Sequence, residues 1–171
     1  MARFRFAPAA PEEEIVFGSC APDWGTRGTE PVDEWIEFVR DRDVRRALCL
    51  LSDGQVADRP DLLETYRAAF GPDRVRHVPI PDHHLPDPAR LESALSFLQA
   101  SEHRGERVVV HCLAGIGRTG VVLAGWLVAR HDYDPREAVE TVRATGRRPT
   151  DAVRSGNATE SDLYDLLRAV G

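Results

Sequence analysis

Val108-Val-Val-His-Cys-Leu-Ala-Gly-Ile-Gly-Arg-Thr-Gly120 is the most informative stretch of the sequence. A run of β-branched valines ends in a histidine and Cys112, and a short loop with two glycines follows. Beyond the loop come Arg118 and an apolar segment of helical character from Val121 to Ala129. The pattern predicts a strand, a loop and a helix, with Cys112 at the start of the loop and Arg118 at its end.

The spacing within this loop suits a bound oxyanion. Five residues separate Cys112 from Arg118, which is enough for a loop to curl around one phosphate-sized group with its backbone N–H groups inward. Gly115 and Gly117 permit backbone angles that side chains would forbid. The helix that follows directs its free amides and its dipole at the same place, and an arginine can hold two phosphate oxygens at once.

The same positive field acts on the sulfur of Cys112. Helix N-termini and neighbouring cations favour the thiolate, which is the nucleophilic form of a cysteine. We therefore expect a thiolate at Cys112 that faces the bound phosphorus. The alternative interpretation of the same residues is an inert buried cysteine beside an arginine that caps a helix.

The stretch resembles the signature loop of the cysteine-dependent protein tyrosine and dual-specificity phosphatases, His-Cys-x-x-Gly-x-x-Arg-Ser/Thr-Gly. The fixed positions of that motif are matched by His111, Cys112, Gly115, Arg118, Thr119 and Gly120. The resemblance implies that Cys112 attacks phosphorus to form a phosphocysteine, that the Thr119 hydroxyl bonds the sulfur and that His111 orients the loop. It also implies that substrate phosphate is bound by the residues of the loop, which are Leu113, Ala114, Gly115, Ile116, Gly117 and Arg118.

A second stretch, residues 79–88, holds the candidate general acid. Its prolines exclude a helix or a sheet interior, and Asp87-Pro88 has the form of an N-cap and a first helical residue. Many dual-specificity phosphatases carry their general acid in the pattern Pro-Ile-x-Asp, which ends here in Asp82. The resemblance implies that Asp82 protonates the leaving oxygen and then activates water. The alternatives are a solvated turn aspartate, or Asp87 as the acid; His83 and His84 either line the cleft or face water.

Composition limits the classes of function. The chain has 171 residues and a net charge of −6, which argues against general binding to nucleic acid or to a membrane surface. Apart from histidine, all 22 basic residues are arginines, so a Walker-type loop and Schiff-base chemistry, which need lysine, are excluded. No apolar run reaches spanning length, and the six histidines show no metal-ligand spacing. We expect no metal or cofactor, a reducing cytoplasm and a monomer.

Strand and helix patterns alternate along the chain. Short apolar runs such as residues 47–51 predict strands, and helical patterns lie between and after them, up to a last helix over residues 163–170. Helical crossovers imply an α/β fold with a mainly parallel central sheet and helices on both faces, like that of protein tyrosine phosphatases. The Cys112 loop then lies beyond the carboxyl end of a strand, where open α/β sheets bind ligands. We expect residues 1–14 to be a flexible N-terminal arm and residues 15–171 a single phosphatase-like catalytic domain.

The sequence says less about the identity of the substrate than about the type of reaction. The variable loop positions carry no charge, whereas family members that act on phosphoinositides often have basic residues there, so the resemblance favours a phosphorylated protein and a shallow dual-specificity pocket. Arg147 and Arg148 either contact an acidic substrate or a second phosphate, or are solvated charges at a helix end. Cys49 and Cys20 are either ordinary core cysteines or thiols that trap an oxidised nucleophile as a disulfide.

Other functions fit parts of the same pattern. One is a pseudophosphatase module that binds phosphate without turnover. Another is a phosphatase of a small phosphorylated metabolite or an inositol phosphate. A third is a different thiolate enzyme that acts on oxyanions, such as a sulfurtransferase or an arsenate reductase.

Overall fold

The protein is described by a computed structural model over residues 2–24 and 31–171. Its strands are β1 (Ala7–Pro8), β2 (Val16–Ser19), β3 (Val44–Cys49), β4 (Val75–His77) and β5 (Arg107–His111). Its helices are α1 (Pro31–Arg40), α2 (Asp53–Ala57), α3 (Leu62–Phe70), α4 (Pro88–Arg104), α5 (Gly117–His131), α6 (Pro135–Ala144), α7 (Asp151–Arg154) and α8 (Glu160–Arg168). None of the helices in this described part of the chain is long and apolar enough to cross a membrane.

The strands form one sheet in the order β1-β2-β5-β3-β4. β5 pairs in parallel with β2 and with β3, and β3 pairs in parallel with β4. Parallel neighbours need long crossover connections, which the helices between these strands supply. Only the short β1 runs antiparallel to its neighbour, β2, within the described sheet. The structure confirms the mainly parallel central sheet that the sequence predicts.

Helices cover both faces of this sheet. Val109 of β5 packs with α1 and α3 on one face, whereas Val108 and Val110 pack with α4 and α5 on the other. The alternation follows from the two-residue period of a strand. It also explains the unbroken apolar run in β5, because a central parallel strand is buried on both faces.

The predicted helices and strands are present, with ends that differ by a few residues. The sequence of residues 75–80 predicts a strand. In the structure this strand, β4, ends at His77, because Pro79 and Pro81 have no N–H to donate to a neighbouring strand. Asp87 caps α4 by accepting the Arg90 N–H at 2.8 Å, and Thr159 forms a capping box at the start of α8. The short helices α2 and α7 were not predicted.

Residues 2–14 differ from the flexible arm expected from the sequence. β1 pairs with β2, and Ala9 and Ala10 are fully buried. The buried Glu13 carboxylate accepts the indole N–H of Trp126, at 3.1 Å and 113 positions away. This segment has no periodic apolar pattern, and the contacts that hold it come from distant parts of the chain. The packing was therefore not visible in the local sequence.

Candidate active site

The loop between β5 and α5 is held by its carbonyl groups. Each carbonyl from residue 113 to residue 116 accepts a hydrogen bond from a donor outside the loop. N–H and C=O point in opposite directions in a trans peptide, so the following N–H groups point away from these donors, as an oxyanion site requires. The donors are the Ala21 N–H to Leu113 (2.8 Å), Arg5 Nη1 to Ala114 (3.1 Å), Arg147 Nη1 to Gly115 (2.8 Å) and the Arg148 N–H to Ile116 (2.9 Å).

The two loop glycines are needed for different reasons. Gly115 has a φ of +76°, in the left-handed region that favours glycine. A Cβ at Gly115 would also lie 2.5 Å from the carbonyl oxygen of Ser19. Gly117 is not among the positive-φ residues, and a Cβ there would lie 2.9 Å from the side chain of Asp151. The backbone-angle argument therefore holds for Gly115, whereas Gly117 provides space for a neighbouring side chain.

Cys112 lies at the base of the loop with 2% of its surface exposed. Thr119, in the first turn of α5, is 3.1 Å from the Cys112 sulfur and donates its hydroxyl to it. α5 begins at Gly117, so its free amides and the positive end of its dipole are directed at this end of the loop. The structure thus brings together the sulfur, the hydroxyl and the helix terminus.

His111 is buried beneath the loop as a neutral side chain. Burial lowers its pKa to about 4, and burial raises the pKa of Tyr66 well above its ordinary value. Nδ1 of His111 lies 2.8 Å from the carbonyl oxygen of Cys112, and Nε2 lies 2.9 Å from the Tyr66 hydroxyl. With both groups neutral, the Nδ1–H donates to the carbonyl and the tyrosine O–H donates to Nε2. His111 therefore fixes the backbone at Cys112.

Arg118 is held at the other end of the loop with 3% of its surface exposed. Nη1 donates to Gln55 Oε1 at 2.8 Å and to the Ile80 carbonyl at 2.9 Å. Nη2 lies 3.0 Å from Asp82 Oδ1, without a hydrogen-bond partner among the described residues. Gln55 also reaches Asp82, with Nε2 at 3.4 Å from Oδ2. The guanidinium and the candidate acid are therefore neighbours.

The segment that carries Asp82 is docked on α7. His83 Nδ1 lies 2.9 Å from the Asp151 carboxylate, and Asn157 Nδ2 donates to the His83 carbonyl at 2.9 Å. The hydrogen bond to Asp151, together with the charge of Asp82, raises the pKa of His83. His83 thus lines the cleft, whereas His84 is exposed and its Nδ1 lies 2.8 Å from the Asp82 carbonyl.

Arg147 is neither a solvated charge nor a substrate contact, which were the two roles considered from the sequence. It is buried, and Nη2 donates to the carbonyl of Arg5 at 2.7 Å while Nη1 holds Gly115. Burial lowers its pKa to about 10, so it stays charged at neutral pH. Arg148 is exposed and lines the cavity over the loop.

Cys20 and Cys49 are free thiols that lie away from solvent. Burial raises the pKa of Cys20 to about 11 and that of Cys49 to about 12, so both are protonated at neutral pH. Cys49 is the register partner of His111 across β3 and β5. Neither thiol has the solvent access of a reactive cysteine, and burial outweighs the charges of Arg5 and Arg147 near Cys20 in setting its pKa.

A cavity of about 200 Å³ lies over the loop. It is lined by Trp24, Asp82, His83, Cys112, Leu113, Ala114, Ile116, Gly117, Arg118, Arg148 and Asp151. Among residues 2–24 and 31–171, no three or more His, Cys, Asp or Glu side chains come together as a metal site would. The arrangement offers a sulfur, an arginine and a carboxylate to one small polar ligand.

Several residues of the site were missed by sequence reasoning. The Ser-Asp-Gly-Gln sequence ending at Gln55 has the form of a capping box, which α2 forms; this signal predicts the short helix but not its contact with Arg118. Tyr66 lies on α3, and its hydrogen bond with the distant His111 has no local signal in the sequence. Arg5, Trp24 and Asp151 carried no local signal, because their roles depend on contacts made through the tertiary fold.

A sequence model of the family described as "Polymorphic toxin system, DSP-PTPase phosphatase" matches residues 24–132. Dual specificity protein phosphatase TpbA of Pseudomonas aeruginosa is 34% identical over 93 residues, which cover 54% of this chain and 42% of that protein. Dual specificity protein phosphatase 2 of Mus musculus is 30% identical over 69 residues, covering 40% of this chain and 22% of that protein. Both matches span less than half the length of the curated relative.

The fold is also similar to solved phosphatase structures. Tk-PTP in its active form has a TM-score of 0.68 and 25% identity, over 95% of this chain and 96% of that one. Its similarity extends over almost the whole length of both chains, whereas the curated sequence matches cover only parts.

Proposed function

This chain belongs to the family of DSP-PTPase phosphatases described from polymorphic toxin systems, and we propose that it hydrolyses phosphomonoesters on proteins. The observation that carries the proposal is that Cys112, Arg118 and Asp82 line one small cavity. Nη2 of Arg118 forms an ion pair with Asp82 at 3.0 Å but makes no hydrogen bond of suitable geometry among the described residues, so its N–H groups can be offered to a phosphate oxygen.

In the proposed first step, the Cys112 sulfur attacks phosphorus in line with the leaving oxygen. The S–P bond forms as the P–O bond breaks, and the Asp82 carboxyl gives its proton to the departing oxygen. The product is a phosphocysteine and a free alcohol or phenol. Arg118 and the N–H groups of the loop hold the three equatorial oxygens while their charge is redistributed.

In the second step, water attacks the phosphocysteine. Asp82, now a carboxylate, takes a proton from the water, the O–P bond forms and the S–P bond breaks. The Thr119 hydroxyl, 3.1 Å from the sulfur, stabilises the departing thiolate with a hydrogen bond. His111 acts as a positioning residue, because it contacts the Cys112 backbone and not the sulfur.

The proposed substrate is a phosphoprotein of the dual-specificity type, with phosphate on tyrosine, serine or threonine. The loop side chains that line the cavity are the uncharged Leu113, Ala114 and Ile116, which gives little attraction to a polyphosphate. Hydrolysis of an inositol phosphate or of another small phosphorylated metabolite is the second candidate. We further propose that the chain works as a monomer in one catalytic domain, and in the cytoplasm, where the three free thiols would stay reduced.

Burst kinetics on p-nitrophenyl phosphate test the reaction. We expect rapid release of one equivalent of p-nitrophenol followed by slower turnover. Cys112→Ser should release no p-nitrophenol, because the phosphocysteine cannot form. Cys49→Ala is the matched control, since it removes a buried thiol outside the cavity and should keep the burst. A folded wild-type protein that binds phosphate without turnover would instead indicate a pseudophosphatase.

Replacement of the general acid tests the assignment of Asp82. Asp82→Ala should retain substrate binding while kcat falls by roughly 10²–10⁴-fold, most strongly for alkyl phosphates, whose leaving groups need a proton. Asp87→Ala should lose only the cap of α4, and with it about 1 kcal/mol of stability. If Asp87→Ala shows the leaving-group dependence and Asp82→Ala does not, the assignment is wrong.

A further inference from the structure

Trp24 is the one large apolar side chain that is well exposed in the described part of the chain, with 41% of its surface accessible. It lies on the wall of the cavity whose base holds Cys112 and Arg118. A single exposed apolar residue elsewhere on the surface would need no explanation. An indole ring at the mouth of a polar site is different, because ligand pockets commonly combine an aromatic wall with a few polar groups.

The position of Trp24 is fixed relative to the loop. The backbone N–H of Trp24 donates to the Ala21 carbonyl at 3.1 Å, and the backbone N–H of Ala21 donates to the carbonyl of Leu113 at 2.8 Å. The adjacent Asp23 forms an ion pair with Arg59 at 2.8 Å. These contacts tie the backbone at Trp24 to the same loop that would hold the phosphate.

A chain of polar contacts also links the segment that carries Trp24 to Arg118. Arg59 Nη1 donates to the carbonyl of Gln55 at 3.0 Å, and the Gln55 side chain accepts from Arg118 at 2.8 Å. The backbone next to Trp24 and the Arg118 guanidinium are therefore linked through Asp23, Arg59 and Gln55. Trp24 and Arg118 line the same cavity of about 200 Å³, so a substrate whose phosphate binds beside Arg118 has the group esterified to it within the space that Trp24 borders.

We propose that Trp24 makes this site selective for aryl phosphates, and that the protein substrate is phosphotyrosine rather than phosphoserine or phosphothreonine. This inference rests on the proposed phosphatase function. The phenyl ring of phosphotyrosine extends the substrate away from the phosphate with a flat apolar face, which can stack on an indole. The side chains of phosphoserine and phosphothreonine have no such face and leave the indole in water.

The apolar loop residues favour the same substrate. Leu113, Ala114 and Ile116 line the same cavity as Cys112 and Trp24, and they can contact a ring without any penalty for buried charge. A polyphosphate would gain nothing from these side chains or from Trp24. The apolar part of the cavity lining, formed by Trp24, Leu113, Ala114 and Ile116, therefore suits an aromatic ring.

The test compares kcat/KM for two peptides of identical sequence, one with phosphotyrosine and one with phosphothreonine. Trp24→Ala should lower kcat/KM for the phosphotyrosyl peptide by roughly tenfold and leave the value for the phosphothreonyl peptide nearly unchanged. Trp24→Phe should recover most of the loss, whereas Trp24→Leu, which is apolar but not aromatic, should recover little. The phosphothreonyl peptide is the internal control for folding, since both substrates meet the same variant.

Three outcomes would overturn the inference. The first is an equal loss with both peptides, which would make Trp24 merely structural. The second is a wild-type enzyme that prefers phosphothreonine or an inositol phosphate. In either case turnover that depends on Cys112 would persist, so the proposed phosphatase function would stand. The third is a folded wild-type protein that hydrolyses none of the three substrates, which would overturn the proposed function and the inference together.

Discussion

His111 links the titration of one side chain to the stability of the whole protein. Its pKa is about 4 in the folded state and near 6.5 when unfolded, because the folded protein buries the ring. The stability that this neutral ring contributes is complete above pH 6.5 and is lost as pH falls toward about 4. We expect roughly 3 kcal/mol of unfolding free energy to be lost across this range.

Urea unfolding of the wild type and His111→Asn over that pH range measures this contribution. The asparagine keeps a donor near the Cys112 carbonyl and has no titrating ring. Its unfolding free energy should therefore fall less steeply with decreasing pH, even if its stability at neutral pH is lower. Parallel curves for the two proteins would show that His111 titrates normally in the fold.

The chemistry-bearing residues could be predicted because they lie in two short segments. Cys112, Arg118 and Thr119 share one loop and helix start, and Asp82 lies in a proline-bound segment whose pattern is local. Gln55 and Arg147 could not be predicted in the same way. Gln55 contacts Arg118, which is 63 positions away in the sequence, and Arg147 contacts Gly115, which is 32 positions away. No local sequence pattern predicts contacts over such separations.

At the scale of elements, the segment that carries Asp82 is positioned by α7. Asp151→Asn removes the charge that His83 faces and should lower kcat several-fold with little change in KM, since Asp82 would be less well placed for proton transfer. His83 is protonated below its raised pKa, so the contact with Asp151 is present at lower pH and weakens as pH rises through that value.

The pH profile distinguishes this positioning role from a structural one. In the wild type we expect kcat to carry an alkaline limb from His83, and in Asp151→Asn this limb should move to lower pH. Asp165→Asn on α8 is a matched control, because this exposed aspartate pairs with Arg168 of the same helix and does not line the catalytic cavity. An unchanged profile in Asp151→Asn would argue that α7 does not position the acid.

Long helices with caps were predictable and short ones were not. The N-caps of α4, α6 and α8 are Asp87, Asp134 and Thr159, whose side chains accept backbone N–H groups, and such caps can be recognised in the sequence. α2 and α7 span only five and four residues, too few to show a helical apolar period. Yet both touch the site, so the least predictable helices shape the position of Arg118 and Asp82.

At the scale of the whole molecule, the sheet separates two apolar layers, one packed with α4 and α5 and the other with α1 and α3. Most residues of each layer lie outside the catalytic cavity. Leu98 of α4 is fully buried in the layer that includes α5. Leu98→Ala should lower the unfolding free energy by about 2–5 kcal/mol through lost contacts and a residual cavity. Because Leu98 does not line the catalytic cavity, kcat should be unchanged at temperatures where the variant is folded.

Urea unfolding and single-substrate kinetics on the same preparation check this separation. Tyr66→Phe is the informative comparison, because it removes a hydroxyl from the opposite layer that bonds His111. That variant should lose both stability and activity. A loss of kcat in folded Leu98→Ala would show that the layers are not independent.

The architecture could be predicted because an alternating pattern of strands and helices admits few connections. The packing of residues 2–14 could not, since Glu13 finds its partners on α5 and Arg5 finds its partner in the loop. Only the folded chain brings those groups together. The N-terminal segment is thus part of the site's support rather than an appendage.

The carbonyls of residues 113–116 accept hydrogen bonds from four residues in three separate parts of the chain, so these bonds are present before any substrate binds. The conformational entropy lost in ordering this loop is therefore lost when the protein folds and not when a ligand binds. Inorganic phosphate, the released product, meets the same ready-made donors. We expect competitive product inhibition, and a melting temperature that rises with phosphate concentration in the wild type and much less in Arg118→Ala.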